Sequence, residues 1–477
     1  MKCKFVMMMV LALTLCAGGW MFVDGSEDVS ATADPSLGTQ VGDLYYTFSG
    51  SDATVVGYSS EIDWTTFTAI PDTVTDGGIT YNVTSIGDEA FRDCTYLALT
   101  SLPSGLTSIG INAFRNCIAL ALTSLPDGVT SIGEYAFRGC TILALTSLPS
   151  GLTSIGINAF KSCTNLSLTS LPSGLISIGA GVFDGCTSLA LPELPSGLTT
   201  IGDSAFNGCT SLALTELPSG VRTIGTSAFN GCTSLALTSL PSGLTTISSN
   251  AFNGCTNLAL TELPSGVTSI GPSAFKTCTN ITLSELPSGV TTIGNYAFQR
   301  CTNITLTELP SGITSIGAGA FINCTNLALT SLPSGVTSIG NSAFIGCTNI
   351  TLSELPSGVT NIGKYAFRGC TSMETLIIQS SPTIGEDAFK DSNIKEVLNL
   401  GSTEITTTSY GLNADEVRSD IESTVLVQEK GSVEHIIVQK DGIAYTLLLL
   451  LPIFVLIGIL LYVVYGLGFG SSTIRKN

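Results

Sequence analysis

Residues 163–185 read CTNLSLTSLPSGLISIGAGVFDG, and the chain returns to the same pattern 23 residues later, at Cys186. Cysteine sets the phase. Cys94, Cys117, Cys140, Cys163, Cys186, Cys209, Cys232, Cys255, Cys278, Cys301, Cys324, Cys347 and Cys370 each follow the last by 23 residues. A fixed period of this length marks a solenoid, in which every repeat is one coil stacked on its neighbour. Stacking turns each position of the repeat into a column. Eight columns are apolar: one cysteine, three leucines, one leucine or valine, one isoleucine, one alanine (Val182 in the quoted copy) and one phenylalanine. A single coil cannot bury these side chains, whereas stacked coils bury them continuously.

Within the quoted coil, Leu-Pro-Ser-Gly at 171–174 predicts a turn that closes a short strand. Proline presets φ there and glycine accepts a positive φ. Leu175-Ile176-Ser177-Ile178 predicts a second short strand, parallel to its copies and ended by Gly179. The stretch around Val182-Phe183 is expected to be one helical or 3-10 turn, and Pro272 suits the first turn of such an element. The predicted class is therefore an α/β repeat solenoid. The phenylalanine recurs fourteen times from Phe91 to Phe389, which at about 4.8 Å per stacked strand gives a stack about 65 Å long.

The pattern closely resembles the BspA-like leucine-rich repeats of microbial surface proteins. The residues that carry the resemblance are Ile-Gly-x-x-Ala-Phe-x-x-Cys-x-x-Leu followed by a proline-ended strand, as from Ile109 onward to Leu120. It covers residues 79–400, about two-thirds of the chain. One departure stands out. The family usually has Leu-x-x-Ile-x-Ile-Pro, whereas here Leu212-Ala213-Leu214-Thr215-Glu216-Leu217-Pro218 shifts the middle apolar residue by one and leaves open which side chains face inward. The resemblance implies attachment to host matrix or cell-surface proteins, to other microbes, or to glycans.

The two ends suggest a membrane context. Lys2 and Lys4 precede an apolar run, so residues 1–25 read as a secretory signal peptide cleaved after Gly25 or Ala33, with an uncleaved anchor as the alternative. Residues 443–469 carry no charge and exceed the roughly 20 residues a helix needs to cross a bilayer. Arg475 and Lys476 in the tail, 470–477, place that tail in the cytoplasm and the repeats outside. Between them, residues 43–80 show strand-like alternation and form a β-rich N-terminal cap, with Trp64 and Phe67 on its inner face. Residues 81–400 are the solenoid, and residues 401–442 an acidic stalk with a hairpin near Lys430-Gly431-Ser432.

Composition narrows the function. The chain of 477 residues has 36 acidic and 18 basic side chains, a formal charge of −18, with only 11% charged residues. Nothing here neutralises a run of phosphates, so no nucleic-acid partner is expected. The acidity lies at the ends. Residues 94–370 hold 10 acidic and 8 basic residues, so the repeat body is nearly neutral. The single histidine, His435, has no distinguishable nucleophile beside it, and no paired Cys-x-x-Cys or histidine cluster suggests a metal. No catalysis, metal or cofactor is expected, and the cysteine column reads as buried, unpaired thiols.

Two surface columns vary along the stack. The position before the third leucine is serine in the early coils and then Glu193, Glu216, Glu262, Glu285, Glu308 and Glu354. Carboxylates about 5 Å apart repel unless a cation or a basic partner intervenes. The position after phenylalanine is basic at Arg92, Arg115, Arg138 and Lys161. These columns are either binding stripes or a face kept soluble by occasional charges. Asn82, Asn165, Asn280, Asn303 and Asn349 begin glycosylation sequons, as does Asn323, which abuts Cys324 and is expected to be less accessible. The column holding Asn165, Asn280, Asn303 and Asn349 could alternatively hydrogen-bond between coils. The expected function is a single-pass, membrane-anchored surface protein whose solenoid binds an extracellular protein or glycan. A passive spacer without a specific ligand is the alternative.

Overall fold

A computed structural model describes residues 38–419, 436–440 and 443–447. The chain enters through five strands: β1 (Thr39–Val41), β2 (Leu44–Ser49), β3 (Asp52–Tyr58), β4 (Thr73–Asp76) and β5 (Ile79–Ile86). β1, β2 and β3 form an antiparallel meander, and Gly50 turns the β2–β3 hairpin at φ +61°. β5 pairs in parallel with β3 and antiparallel with β4. It then pairs in parallel with Ser108–Ile109, the first strand of the repeats, with Ile86 opposite Ile109. The cap sheet is thus continuous with the solenoid sheet.

From there every coil but the one at Ser154-Ile155 adds one two-residue strand, in register with its copy in the next coil, as Ser269 and Ile270 are with Thr292 and Ile293. The strands are these Ser/Thr-Ile pairs, on the second expected side. The first expected side forms regular strands only late, at Glu354–Leu355, Thr375–Ile378 and Glu396–Asn399. The reason lies in the shifted motif. Leu212, Leu214 and Leu217 all point inward, while Thr215 and Glu216 both point outward. Two successive outward residues break the alternation of a pleated strand. Thr375–Ile378 restores that alternation and pairs with Glu396–Asn399 along its whole length.

The expected helical turn at alanine-phenylalanine is not helical. Residues 111–116 run as consecutive turns, and the one 3-10 helix among the described residues is Ser409–Gly411. Asn112 and Asn116 stand at φ +54° and +59°. The backbone donors alternate in target. Ala113 and Arg115 donate back three residues, to Gly110 and Asn112. Asn112, Phe114 and Asn116 donate instead to Glu134, Ala136 and Arg138 of the next coil. A helix would take all these donors for itself. Here half of them hold neighbouring coils together.

The core is the set of eight columns. Its most regular member is the phenylalanine column, stacked from Phe91 to Phe389 with centroids 5.3–5.8 Å apart and ring planes within 17°. That rung spacing exceeds the roughly 4.8 Å between paired strands, so the coils fan open at the phenylalanine edge, which is convex. The sheet is interrupted twice, at Ser154-Ile155 and after Thr223–Ile224, and a substitution explains the second break. Gly225 approaches the previous coil so closely that a Cβ would lie 2.5 Å from the backbone nitrogen of Asp203. In the next coil Ser248 stands at that position. Its hydroxyl, at 2.7 Å, replaces the backbone N–H as donor to the Ile224 carbonyl, and the strands at Thr223–Ile224 and Thr246–Ile247 do not pair.

The stack also runs beyond residue 400, where the stalk was expected to begin. Glu416–Arg418 pairs in parallel with Glu396–Asn399, and the Tyr410 carbonyl accepts the Phe389 N–H at 3.0 Å. Ile436–Lys440 and Ile443–Leu447 form an antiparallel hairpin, so the first five residues of the expected membrane helix are a strand. Among the described residues no helix is long and apolar enough to cross a membrane. The signal segment 1–25, the hairpin expected near Lys430, His435, the tail 470–477 and the rest of 443–469 lie outside the described residues.

Candidate functional site: the surface columns of the solenoid

All six glutamates of the acidic column are exposed. Three of them occupy consecutive coils, and those three line a groove. Glu262, Glu285 and Glu308 border a depression of about 890 Å³ together with the Leu-Pro-Ser residues that follow each of them. The floor is the nearly buried leucine column at Leu263, Leu286 and Leu309. The geometry follows from the repeat: proline turns the chain, leucine points in, and the residue before it points out. Glu354, at the end of the column, accepts a hydrogen bond from Gln379 and lies outside this groove.

The basic column behaves differently. Arg92 is held by Glu89 at 2.8 Å and Asp93 at 3.2 Å. Lys161 is held by Asp184 at 2.6 Å. Arg115 and Arg138, between them, make no ion pair. Arg138 lies over the Tyr135 ring at 5.8 Å, and Arg115 has a buried Nε without a hydrogen-bond partner. The cations at the two ends of this column are thus engaged within the chain, and its two middle cations are open.

Beyond Lys161 the same column becomes an amide ladder, which the sequence reading did not anticipate. Asn207 Nδ2 donates to Asp184 Oδ1 at 2.7 Å, Asn230 to Asn207 at 2.7 Å, and Asn253 to Asn230 at 2.8 Å. Asp184 accepts only, so it orients every amide above it. The signal was present in the sequence as asparagine at 23-residue spacing on three successive coils. A threonine column does similar work: Thr187 Oγ1 donates to the Thr164 carbonyl at 3.3 Å, and the pattern recurs along the stack. The sequon column does not. Asn165, Asn280, Asn303 and Asn349 are exposed, and none of their side chains hydrogen-bonds to another coil. Asn82 is exposed on β5. Asn323, expected to be shielded, is also exposed, at φ +57°.

All thirteen repeat cysteines are free and buried. From Cys117 to Cys370 each thiol donates to the carbonyl of the phenylalanine 26 residues earlier, at 2.9–3.2 Å. Burial pushes the Cys94 and Cys232 thiols up to about 12 and raises the others of the column well above the ordinary thiol range. The cap continues both ladders. Tyr58 stacks on Phe91 at 6.1 Å and shares a hydrogen bond with the Cys94 thiol. Trp64 then meets Tyr58 edge-on at 5.0 Å, and Phe67 meets Trp64 at 5.8 Å. Among the described residues no group of three His, Cys, Asp or Glu side chains is placed to hold a metal ion.

The family described as BspA type Leucine rich repeat region matches residues 61–190, 177–305 and 291–411. The chain belongs to this family. Among solved structures, this BspA-type chain is similar to a leucine-rich repeat protein from Bacteroides ovatus, at 29% identity and a TM-score of 0.52 over 75% of this chain and 94% of that one. It is also similar to a leucine rich cell surface protein from Faecalibacterium prausnitzii, at 30% identity and a TM-score of 0.50 over 71% of this chain and 93% of that one. No curated protein matches the BspA-type chain.

Proposed function

We propose that this BspA-type chain is a cell-surface protein whose solenoid binds an extracellular protein or glycan, with adhesion as the outcome. The observation that carries the reading is the groove of about 890 Å³ along Glu262, Glu285 and Glu308. Three like charges on adjacent coils repel one another. A ligand that brings basic or hydrogen-bond-donating groups relieves this repulsion and covers the leucine floor. Identical neighbouring coils suit an extended or multivalent ligand. The acidic binding stripe is Glu193, Glu216, Glu262, Glu285, Glu308 and Glu354, and the basic one is Arg92, Arg115, Arg138 and Lys161.

Placement at the surface is supported by the apolar, lysine-led N-terminal segment 1–25 and by the cell-surface description of the Faecalibacterium relative. Single-pass anchoring rests on the uncharged C-terminal run. With 443–447 taken by a strand, 448–469 still leaves 22 uncharged residues, enough for one span of roughly 20. In this arrangement 470–477 is cytoplasmic and the exposed sequons face outward.

A passive spacer is the second reading. It is favoured by the uniformity of the coils, since the phenylalanine rungs barely vary from one end to the other. Whole-cell binding to immobilised matrix proteins and to a glycan array separates the two. Adhesion through the groove predicts a bound ligand that is lost both on deletion of residues 94–370 and in the triple variant Glu262→Gln, Glu285→Gln, Glu308→Gln. A spacer predicts no ligand in either format.

A further inference from the structure

The basic column coincides with a second feature. Five of the exposed large apolar residues lie on the same coils: Tyr96 (71% exposed), Ile111 (43%), Ile118 (47%), Ile142 (42%) and Ile157 (41%). Each stands four residues before a basic residue or three to four after one, so they flank the line of cations. In later coils these flanking columns turn polar, as at Asn165, Ser188 and Asp203, around the point where Asp184 interrupts the basic column, which resumes at Lys276. Isolated surface isoleucines are ordinary. A cluster that begins and ends with a line of cations is not scattered.

We propose that this edge, centred on Arg115 and Arg138, docks an amphipathic helix of a partner protein that presents one acidic residue per turn with apolar residues beside it. The inference assigns a partner to the basic stripe of the binding reading above and does not depend on the glutamate groove. Three observations support it. Arg115 and Arg138 are open, while Arg92 and Lys161 are engaged by Glu89, Asp93 and Asp184. The rungs beneath them, Phe114, Phe137 and Phe160, are 5.4 Å apart. An α-helix advances about 5.4 Å per turn, so acidic residues one turn apart stay in step with the coils. Ile111 and Ile157, two rungs apart, meet residues two turns apart.

The alternatives fit less well. Side chains on one face of an extended peptide repeat at about 6.6 Å and lose register within two coils. A sulfated glycan would desolvate the isoleucines without returning apolar contact. Asp88 and Glu134, exposed on either side of Ile111 in one column, are carboxylates of the patch that make no ion pair, although Asp88 accepts the Ile111 N–H at 2.7 Å. They disfavour an acidic group over their own column and set the partner's acidic stripe over the arginine column.

The test uses the full-length chain in zwitterionic nanodiscs and a fluorescent four-turn peptide carrying one glutamate per turn flanked by leucines. Anisotropy should show saturable binding. Arg115→Glu with Arg138→Glu should weaken it at least tenfold, and so should Ile142→Ser with Ile157→Ser. A proline-broken peptide of the same composition should bind at least tenfold more weakly. Thiol protection in each variant reports that the solenoid is still folded. The proposal is overturned if the peptide does not bind, or if the variants or the broken peptide bind as well as the originals. It is also overturned if a sulfated oligosaccharide or phosphatidylserine vesicles show the variant dependence in the peptide's place. Glutamate-groove variants should leave peptide binding within twofold, so failure of the groove reading and failure of this one are read separately.

Discussion

The Cys117 thiol donates to the Phe91 carbonyl oxygen at 3.0 Å, across the boundary between two coils. The same carbonyl already accepts the Cys94 backbone N–H at 3.1 Å, so the thiol uses its second lone pair. Cysteine suits this position because it is small, tolerates full burial and still offers a weak donor.

Only a thiolate reacts with an alkylating agent. Buried thiols held far above their ordinary range should therefore be inert. At pH 8 the thirteen repeat cysteines should resist iodoacetamide in the folded chain and react together in urea, as counted by mass spectrometry. Rapid labelling of mid-stack positions such as Cys232 in the native chain, or bridged peptides among the thirteen, would contradict the structure.

The same burial predicts alkaline instability. In the unfolded chain a thiol ionises near about 8.5, whereas folding holds Cys94 and Cys232 at about 12 and other thiols of the column well above the ordinary range. Above pH 8.5 the unfolded chain therefore binds fewer protons than the folded one, so stability falls as pH rises. The stabilisation is complete below the unfolded value and is lost progressively toward the folded one. Each thiol accounts for about 1.4 kcal/mol per pH unit in that window. The urea midpoint should be flat from pH 6 to 7, begin to fall by pH 8 and fall steeply by pH 10. Replacing four cysteines with alanine should flatten the fall. A midpoint that ignores pH would remove the idea.

Phe229 stacks on Phe206 at 5.4 Å and on Phe252 at 5.6 Å. Phe229→Ala removes both contacts and leaves a cavity, at a cost of about 3–5 kcal/mol. Because each coil touches only its neighbours, the loss stays local. Urea unfolding should show a lowered midpoint and a second transition, as the two halves of the stack separate. The same substitution at Phe389, next to the C-terminal end, should lower the midpoint without splitting the curve.

The amide ladder predicts a directional effect. Asn230 donates to Asn207 and accepts from Asn253. Asn230→Asp keeps the shape but loses the donor, leaving two oxygens face to face. Asn207 cannot flip to help, because its own amide is committed to Asp184. The expected loss is about 1–3 kcal/mol, measured by urea denaturation at pH 7. Asn253→Asp, whose oxygen is the free end of the same ladder, should cost a similar amount by abolishing the bond to Asn230. Asn349→Ser, at an exposed position outside this column whose side chain bonds no other coil, serves as a control that leaves the ladder intact.

Much of this was legible in residues 163–185. The period of 23, the eight inward columns, and the membership of cysteine and phenylalanine in the core follow from spacing and residue type. A residue that recurs at one phase must meet its own copies when coils stack. The hairpin of the cap was legible too, from alternation around Gly50. The course of the backbone between the columns was not. The stretch around Val182-Phe183 reads as a helical turn because it follows the break at Gly179 and because Pro272 suits the first turn of such an element. Whether the donors of 111–116 close on themselves or reach the next coil depends on where that coil lies.

The surface divides in the same way. Sequence alone identified the acidic and basic columns, because a charge repeated at a fixed phase lines up in space. Tertiary structure decided their state. Lys161 is engaged because Asp184 falls one rung above it, while Arg115 and Arg138 stay open because no carboxylate falls within reach of either. The groove beside Glu262, Glu285 and Glu308 exists because three outward residues meet a nearly closed leucine floor. Periodicity fixes which residues become neighbours. Distance and hydrogen-bond direction, set only once the coils have stacked, fix what those neighbours do to one another.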